Sequence, residues 1–192
     1  MTDILFDRED MRKLFRVIRS IEWNHEDYTA IPPCQPGLFL GDDILFIGQN
    51  PGVPKVNENP TDETLLDSTS SDEVFHDAYK QSQFNWLFYK RFIKQLIGDS
   101  LDFSITNVSF FPTTNNSMPS QEVVEMCRPH LLRLIKLINP KTIVVLGKIA
   151  ESELKAIHID KEYNCIFMYH YAYLLRTGRL KQEIERVKGE LK

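Results

Sequence analysis

Four short apolar runs most constrain the fold: "DILFIG" from Asp43, "FSITNVSFF" from Phe103, "KTIVVLG" from Lys141 and "NCIFMYH" from Asn164. Each is strand-length, rich in β-branched and aromatic residues, and separated from the next by a helix-patterned stretch. Strands alternating with helices build βαβ units, and those give a parallel sheet covered on both faces. The expected fold is therefore α/β, a three-layer α/β/α sandwich. Its four-stranded parallel central sheet uses strands near Ile44–Gly48, Phe103–Val108, Thr142–Leu146 and Cys165–Tyr169. A chain of 192 residues with 42% hydrophobic content suits one core, and residues 1–192 are read as a single domain.

The intervening segments fill in the layers. "EDMRKLFRVIRSIEW" places Met11, Leu14, Phe15, Ile18 and Ile21 at helical spacing, which predicts an amphipathic packing helix. "VFHDAYKQSQFNWLFYKRFIKQLIG" predicts a long helix closed by Gly98. Pro119 and Ser120 open another, kinked at Pro129 and ended before Pro140. "KIAESELKAI" and "GRLKQEIERVKGELK" are the last two helical stretches, the second with the alternating charges of a solvated face. The polar stretch from Val53 to Val74 is longer than a compact domain ordinarily leaves unstructured, which marks it as a candidate lid.

Composition narrows the function. No run approaches the roughly 18 apolar residues of a membrane span, and the acidic start "MTDILFDRED" is unlike a signal peptide. An intracellular, nucleoid-associated protein without membrane contact is expected. Cys34, Cys127 and Cys165 include no C-x-x-C pair, which argues for reduced thiols and against a disulfide framework or a four-thiolate metal site. A net charge of −4 excludes a protein that coats nucleic acid non-specifically, so any DNA contact comes from local basic clusters.

In open α/β sheets ligands sit beyond the carboxyl ends of the strands. Three segments converge there: "GQNPG" after the first strand, "TNVSFFPTTNN" at the end of the second and "HYAYLLRTG" after the fourth. Read alone, Asn50 equally fits a turn-stabilising amide, His170 a hydrogen-bonded strand-end histidine, and Leu174 and Leu175 core positions. His25, His76, His130 and His158 take the structural reading. Arg176, Arg179 and Lys181 form the basic cluster nearest the site, suited to phosphate contacts or to a plain solvated face.

As an ordered set, these segments resemble the uracil-DNA glycosylase superfamily. "GQNPG" is similar to its first motif, G-I-N-P-G in the mismatch-specific branch and G-E-A-P-G in the thermostable iron-sulfur branch. "ITNV" followed by "NN" and "CRPHLL" resembles the middle of the iron-sulfur branch, and "HYAYLLR" its final H-P-S-Y-L-L-R. The resemblance runs from about Asp43 to Arg176. It implies excision of uracil, or of a related deaminated or mismatched base, from DNA after base flipping. By the same resemblance Asn50 holds the attacking water and His170 stabilises the leaving base. The Gln49 backbone lines the base pocket and Asn107 pairs with the uracil edge. The stretch Val53 to Val74 matches no family motif, so the resemblance names no stacking aromatic, and Phe110 and Phe111 are the candidates. Leu174 or Leu175 would wedge into the base stack.

The departures carry expectations of their own. Only Cys127 matches the iron-sulfur ligands, and Phe111 stands at another ligand position, so no cluster, metal or other cofactor is expected. Tyr171 replaces the family's proline. The carboxylate that the first motif carries in the classical and iron-sulfur branches is missing, and the neutral amide of Asn50 is no general base. A monomeric glycosylase, another base-excising specificity, and a non-catalytic DNA- or nucleobase-binding protein of the same fold are the three readings carried forward.

Overall fold

The computed structural model describes residues 8–21, 38–39, 41–51, 88–100, 102–113 and 117–191. The candidate lid at 53–74, Cys34, His25, His76, the asparagine pair Asn115 and Asn116, and the first part of the long helix lie outside the described residues.

The four expected strands form at Ile44–Gly48 (β2), Phe103–Asn107 (β3), Thr142–Leu146 (β4) and Asn164–Met168 (β5). They run parallel in the order β3-β2-β4-β5, and a two-residue strand, Leu38–Phe39 (β1), is added antiparallel outside β3. Too short to carry a hydrophobic pattern and preceded by a Pro-rich stretch, β1 has no signature in the sequence.

Alternation sorts side chains to the two faces. Leu45, Ile47, Ile143 and Val145 pack on one side against Arg8–Arg19 (α1), Gln121–Ile138 (α3), Lys148–Ala156 (α4) and Ile159–Glu162 (α5). Phe46, Val144, Ile166 and Met168 pack on the other against Tyr89–Ile93 with Lys94–Ile97 (α2), Tyr171–Arg176 (α6) and Leu180–Glu190 (α7). Here α2 is the described end of the long helix, a π-helical stretch Tyr89–Ile93 continuing as α-helix over Lys94–Ile97. The three layers are thus those expected. Among the described residues, no helix is long and apolar enough to cross a membrane.

Local chemistry sets the boundaries. The α1 side chains Met11, Leu14, Phe15 and Ile18 are fully buried, so its apolar spacing reflects packing. Gly98 ends α2 at φ 75°, a conformation in which a Cβ would be strained, and its N–H reaches Lys94 O at 2.9 Å. Ser120 accepts the Val123 N–H at 3.4 Å to cap α3, which runs through Pro129 and stops at left-handed Asn139 before Pro140. Arg128 of α3 reaches the buried Glu153 of α4 with two hydrogen bonds, at 2.5 and 3.2 Å, tying the two helices on that face together.

Candidate active site

The connection out of β2 goes to one side of the sheet and the connection out of β4 to the other, so the strand order reverses between them. Both strands run into glycine here, Gly48 at the end of β2 and Gly147 just after β4. Neither glycine is replaceable without displacing a neighbour. A Cβ on Gly48 would lie 2.6 Å from Asn107 Oδ1, and one on Gly147 would lie 3.1 Å from the His170 Cβ. Missing side chains on the two central strands thus make room for an amide arriving from β3 and an imidazole arriving from β5.

Asn107 ends β3 in register with Gly48 and is half-buried. Its amide has no hydrogen-bond partner among the described residues, which leaves donor and acceptor open. The ladder continues one step past it: Val108 N–H donates to Gly48 O at 2.9 Å and Ser109 N–H to Gln49 O at 3.0 Å. The Gln49 carbonyl is therefore engaged in the sheet. Its side chain is engaged as well, Nε2 donating to Ser117 O at 3.1 Å.

Hydrogen bonds fix the Asn50 amide in one orientation. The Thr113 hydroxyl donates to Ser117 O at 2.6 Å, so its oxygen must accept from Asn50, and the contact at 2.8 Å is with Nδ2. Nδ2 also reaches Pro51 O at 3.3 Å. With both amide hydrogens used, Oδ1 faces no described donor and can accept a hydrogen bond from water. Thr113, Ser117 and Gln49 thus form a clamp between the loops leaving β2 and β3. Sequence reasoning missed Thr113 and Ser117, since isolated hydroxyl residues in a polar loop carry no distinguishing signal.

His170 follows β5 and caps α6 with its side chain. The Ala172 N–H donates to its Nδ1 at 3.3 Å, and a ring nitrogen that accepts carries no proton, so the proton of the neutral ring is on Nε2. The residue is exposed overall, while desolvation where its ring meets the protein lowers its pKa and so favours the neutral form at neutral pH. One strand, β4, separates β2 from β5, so the loops bearing Asn50 and His170 start ~10 Å apart, two strand spacings of about 4.8 Å.

A family model, the Uracil DNA glycosylase superfamily, matches residues 39–191. The chain belongs to that superfamily. Membership supports a DNA glycosylase-type function in base excision repair, with DNA as the substrate. Among curated proteins no significant match was found.

Within this superfamily member, two expected site residues need correction. Phe110 is fully buried between Val108, Phe111 and Cys127, so its ring presents no face on which a base could stack. Leu174 is 1% exposed and packs with Tyr171, Phe92 and Ile184, which rules it out as a wedge, whereas Leu175 at 39% projects to solvent. Arg176 and Arg179 are exposed beside it. Tyr171, in the place of the family's proline, anchors the loop: it is buried and meets Phe88 edge-on at 5.2 Å. Lys148, exposed directly after Gly147, is a further cation at this edge that sequence reasoning passed over.

The described residues do not fit an iron-sulfur cluster. Cys127 accepts the Phe110 N–H at 3.5 Å, and burial pushes its thiol up to about 11, the reverse of what a thiolate ligand needs. Phe111 fills the neighbouring ligand position with hydrocarbon that is itself core.

Proposed function

We propose that this protein removes uracil from DNA, as a cofactor-free, single-domain monomer, by hydrolysing the N-glycosidic bond of a flipped-out deoxynucleotide. The observation that carries this reading is the Ala172 N–H donated to His170 Nδ1, which leaves the proton of the neutral ring on Nε2. As the bond breaks, its electron pair moves onto the base and charge collects on O2, while the sugar becomes cation-like. A neutral imidazole with its proton on Nε2 donates to that developing anion without first having to lose a charge. Asn107, with open donor and acceptor, matches the N3–H and O4 of uracil.

Asn50 completes the reaction from the other side. Its Oδ1 orients a water toward C1′ but cannot take a proton from it, so the water adds once the sugar is already cation-like. The added water then loses a proton to solvent and the departed base anion takes one up from solvent, so the products are the neutral free base and an abasic sugar. Leu175 is the wedge that replaces the extruded base, and Arg176, Arg179 and Lys148 are assigned to phosphates.

The test is alkaline nicking of oligonucleotides carrying uracil opposite guanine, opposite adenine and unpaired. Nicking at uracil is the expected result. Cleavage confined to thymine opposite guanine or to a deaminated purine would replace uracil as the substrate. Binding with no nicking of any substrate would replace the enzyme with a binding module.

A further inference from the structure

Five large apolar side chains stand exposed among the described residues, and three of them, Tyr169, Tyr173 and Leu175, fall within a seven-residue stretch around His170. Tyr169, at 52% exposure, directly precedes His170, and Tyr173, at 36%, sits one turn along α6. Their rings pack side by side, 5.4 Å between centroids at 39°. The helix needs neither of them for its own packing. Tyr171 and Leu174, 5% and 1% exposed, already bury its inner face.

The charge shown beside this pair among the described residues is positive. The Arg176 guanidinium lies 6.0 Å from the Tyr173 ring centroid. Arg176, Arg179 and Lys181 are exposed and make no ion pair with a described carboxylate, while Arg186 and Lys188 further along are neutralised by Glu183, Glu190 and Glu185. Flat aromatic faces among unneutralised cations suit a ligand that is both anionic and stackable, which is a nucleic acid strand with uncovered base faces. In a duplex those faces are covered by neighbouring pairs, and two adjoining rings cannot both enter one base step. A chain of net charge −4 also lacks the basic excess that neutralising the phosphates of two strands calls for.

We propose that Tyr169 and Tyr173 form a stacking platform for the unpaired bases flanking the flipped nucleotide, and that the protein takes single-stranded DNA in preference to duplex. This rests on the glycosylase reading for its setting, but its test does not require catalysis. Fluorescence anisotropy with the full chain would compare a labelled thymidine oligomer lacking uracil with a duplex of the same length. The parent should bind the single strand more tightly. Tyr169→Ala and Tyr173→Ala should each weaken that binding by roughly tenfold, with duplex binding little changed, and Tyr173→Phe should retain it because the ring face is kept. Circular dichroism melts check that the variants remain folded. Tighter binding of duplex by the parent, or a folded double alanine variant that binds the single strand like the parent, overturns the proposal even if uracil is excised. Failure to nick with the platform effects intact would instead remove the catalytic reading alone.

Discussion

At the amino-terminal end of the sheet, Asp102 accepts the backbone N–H groups of Asp42 and Asp43 at 3.1 and 3.3 Å, and Asp43 pairs with Lys141. At the carboxyl end, Asn50 Oδ1, the Asn107 amide and His170 Nε2 have no partner among the described residues. Both ends are polar and both adjoin a glycine. The glycines differ in what they admit: Gly41 makes room for the backbone and carboxylate of Asp102, Gly48 only for the movable amide of Asn107. Polar groups that satisfy one another hold the fold together, and polar groups left half-satisfied beside an opening are available for a substrate.

The sharpest way to break this contrast is to change one residue at each end. His170→Ala should slow single-turnover uracil excision by about 10²- to 10³-fold, the loss typical of one preorganised donor. Asn50→Ala should cost less, because the nucleophile arrives late. Asp102→Ala, which removes the acceptor shared by the Asp42 and Asp43 N–H groups, should leave the rate alone and lower the urea midpoint. A rate more sensitive to Asp102 than to His170 would invert the comparison.

Asn107→Asp comes next. A carboxylate offers only acceptors at neutral pH, so excision should lose about 1–3 kcal/mol of transition-state stabilisation, measured as kcat/KM. At the opposite end Gly41→Ala places a Cβ 2.5 Å from the Asp102 Cα, a backbone clash that cannot be relieved by rotating a side chain. It should cost roughly 1–3 kcal/mol in stability by denaturant titration, with the folded protein excising at the parent rate.

The smallest expected effect is on pH. The folded pKa of His170 is lowered by desolvation, so on acidification the unfolded chain takes up its proton first. Its stability contribution is whole above the ordinary histidine value of about 6.5 and declines as pH falls below it. Protonation of Nδ1 also removes the acceptor for the Ala172 N–H and with it the α6 cap. The excision rate should hold through pH 6.5 and fall only at lower pH. A rate that rises on acidification would contradict a neutral His170.

Much of this arrangement was legible in the sequence because a parallel sheet buried on both faces writes itself as short continuous apolar runs. The ends of β2 and β4 match expectation residue for residue. The clamp was not legible, because Asn50 meets Thr113 across 63 positions and Gln49 meets Ser117 across 68, through residue types found in any loop. The structural roles within "CRPHLL" were not legible either: Cys127 supports Phe110, and Arg128 neutralises a buried Glu153. Phe110 and Leu174 failed for one shared reason. An apolar residue in a motif looks the same whether it faces a ligand or the core, and only burial separates the two. Tyr169 and Tyr173 went unnoticed on the same ground.

The proposed mechanism depends on His170 meeting the leaving base as a neutral Nε2–H donor. Nitrogen-15 NMR of histidine-labelled protein, titrated from neutral to acidic pH, reads that directly. The predicted result is a protonated Nε2 and an unprotonated Nδ1 at neutral pH, with a titration midpoint below about 6.5. A proton on Nδ1 at neutral pH, or a ring still doubly protonated there, would contradict it.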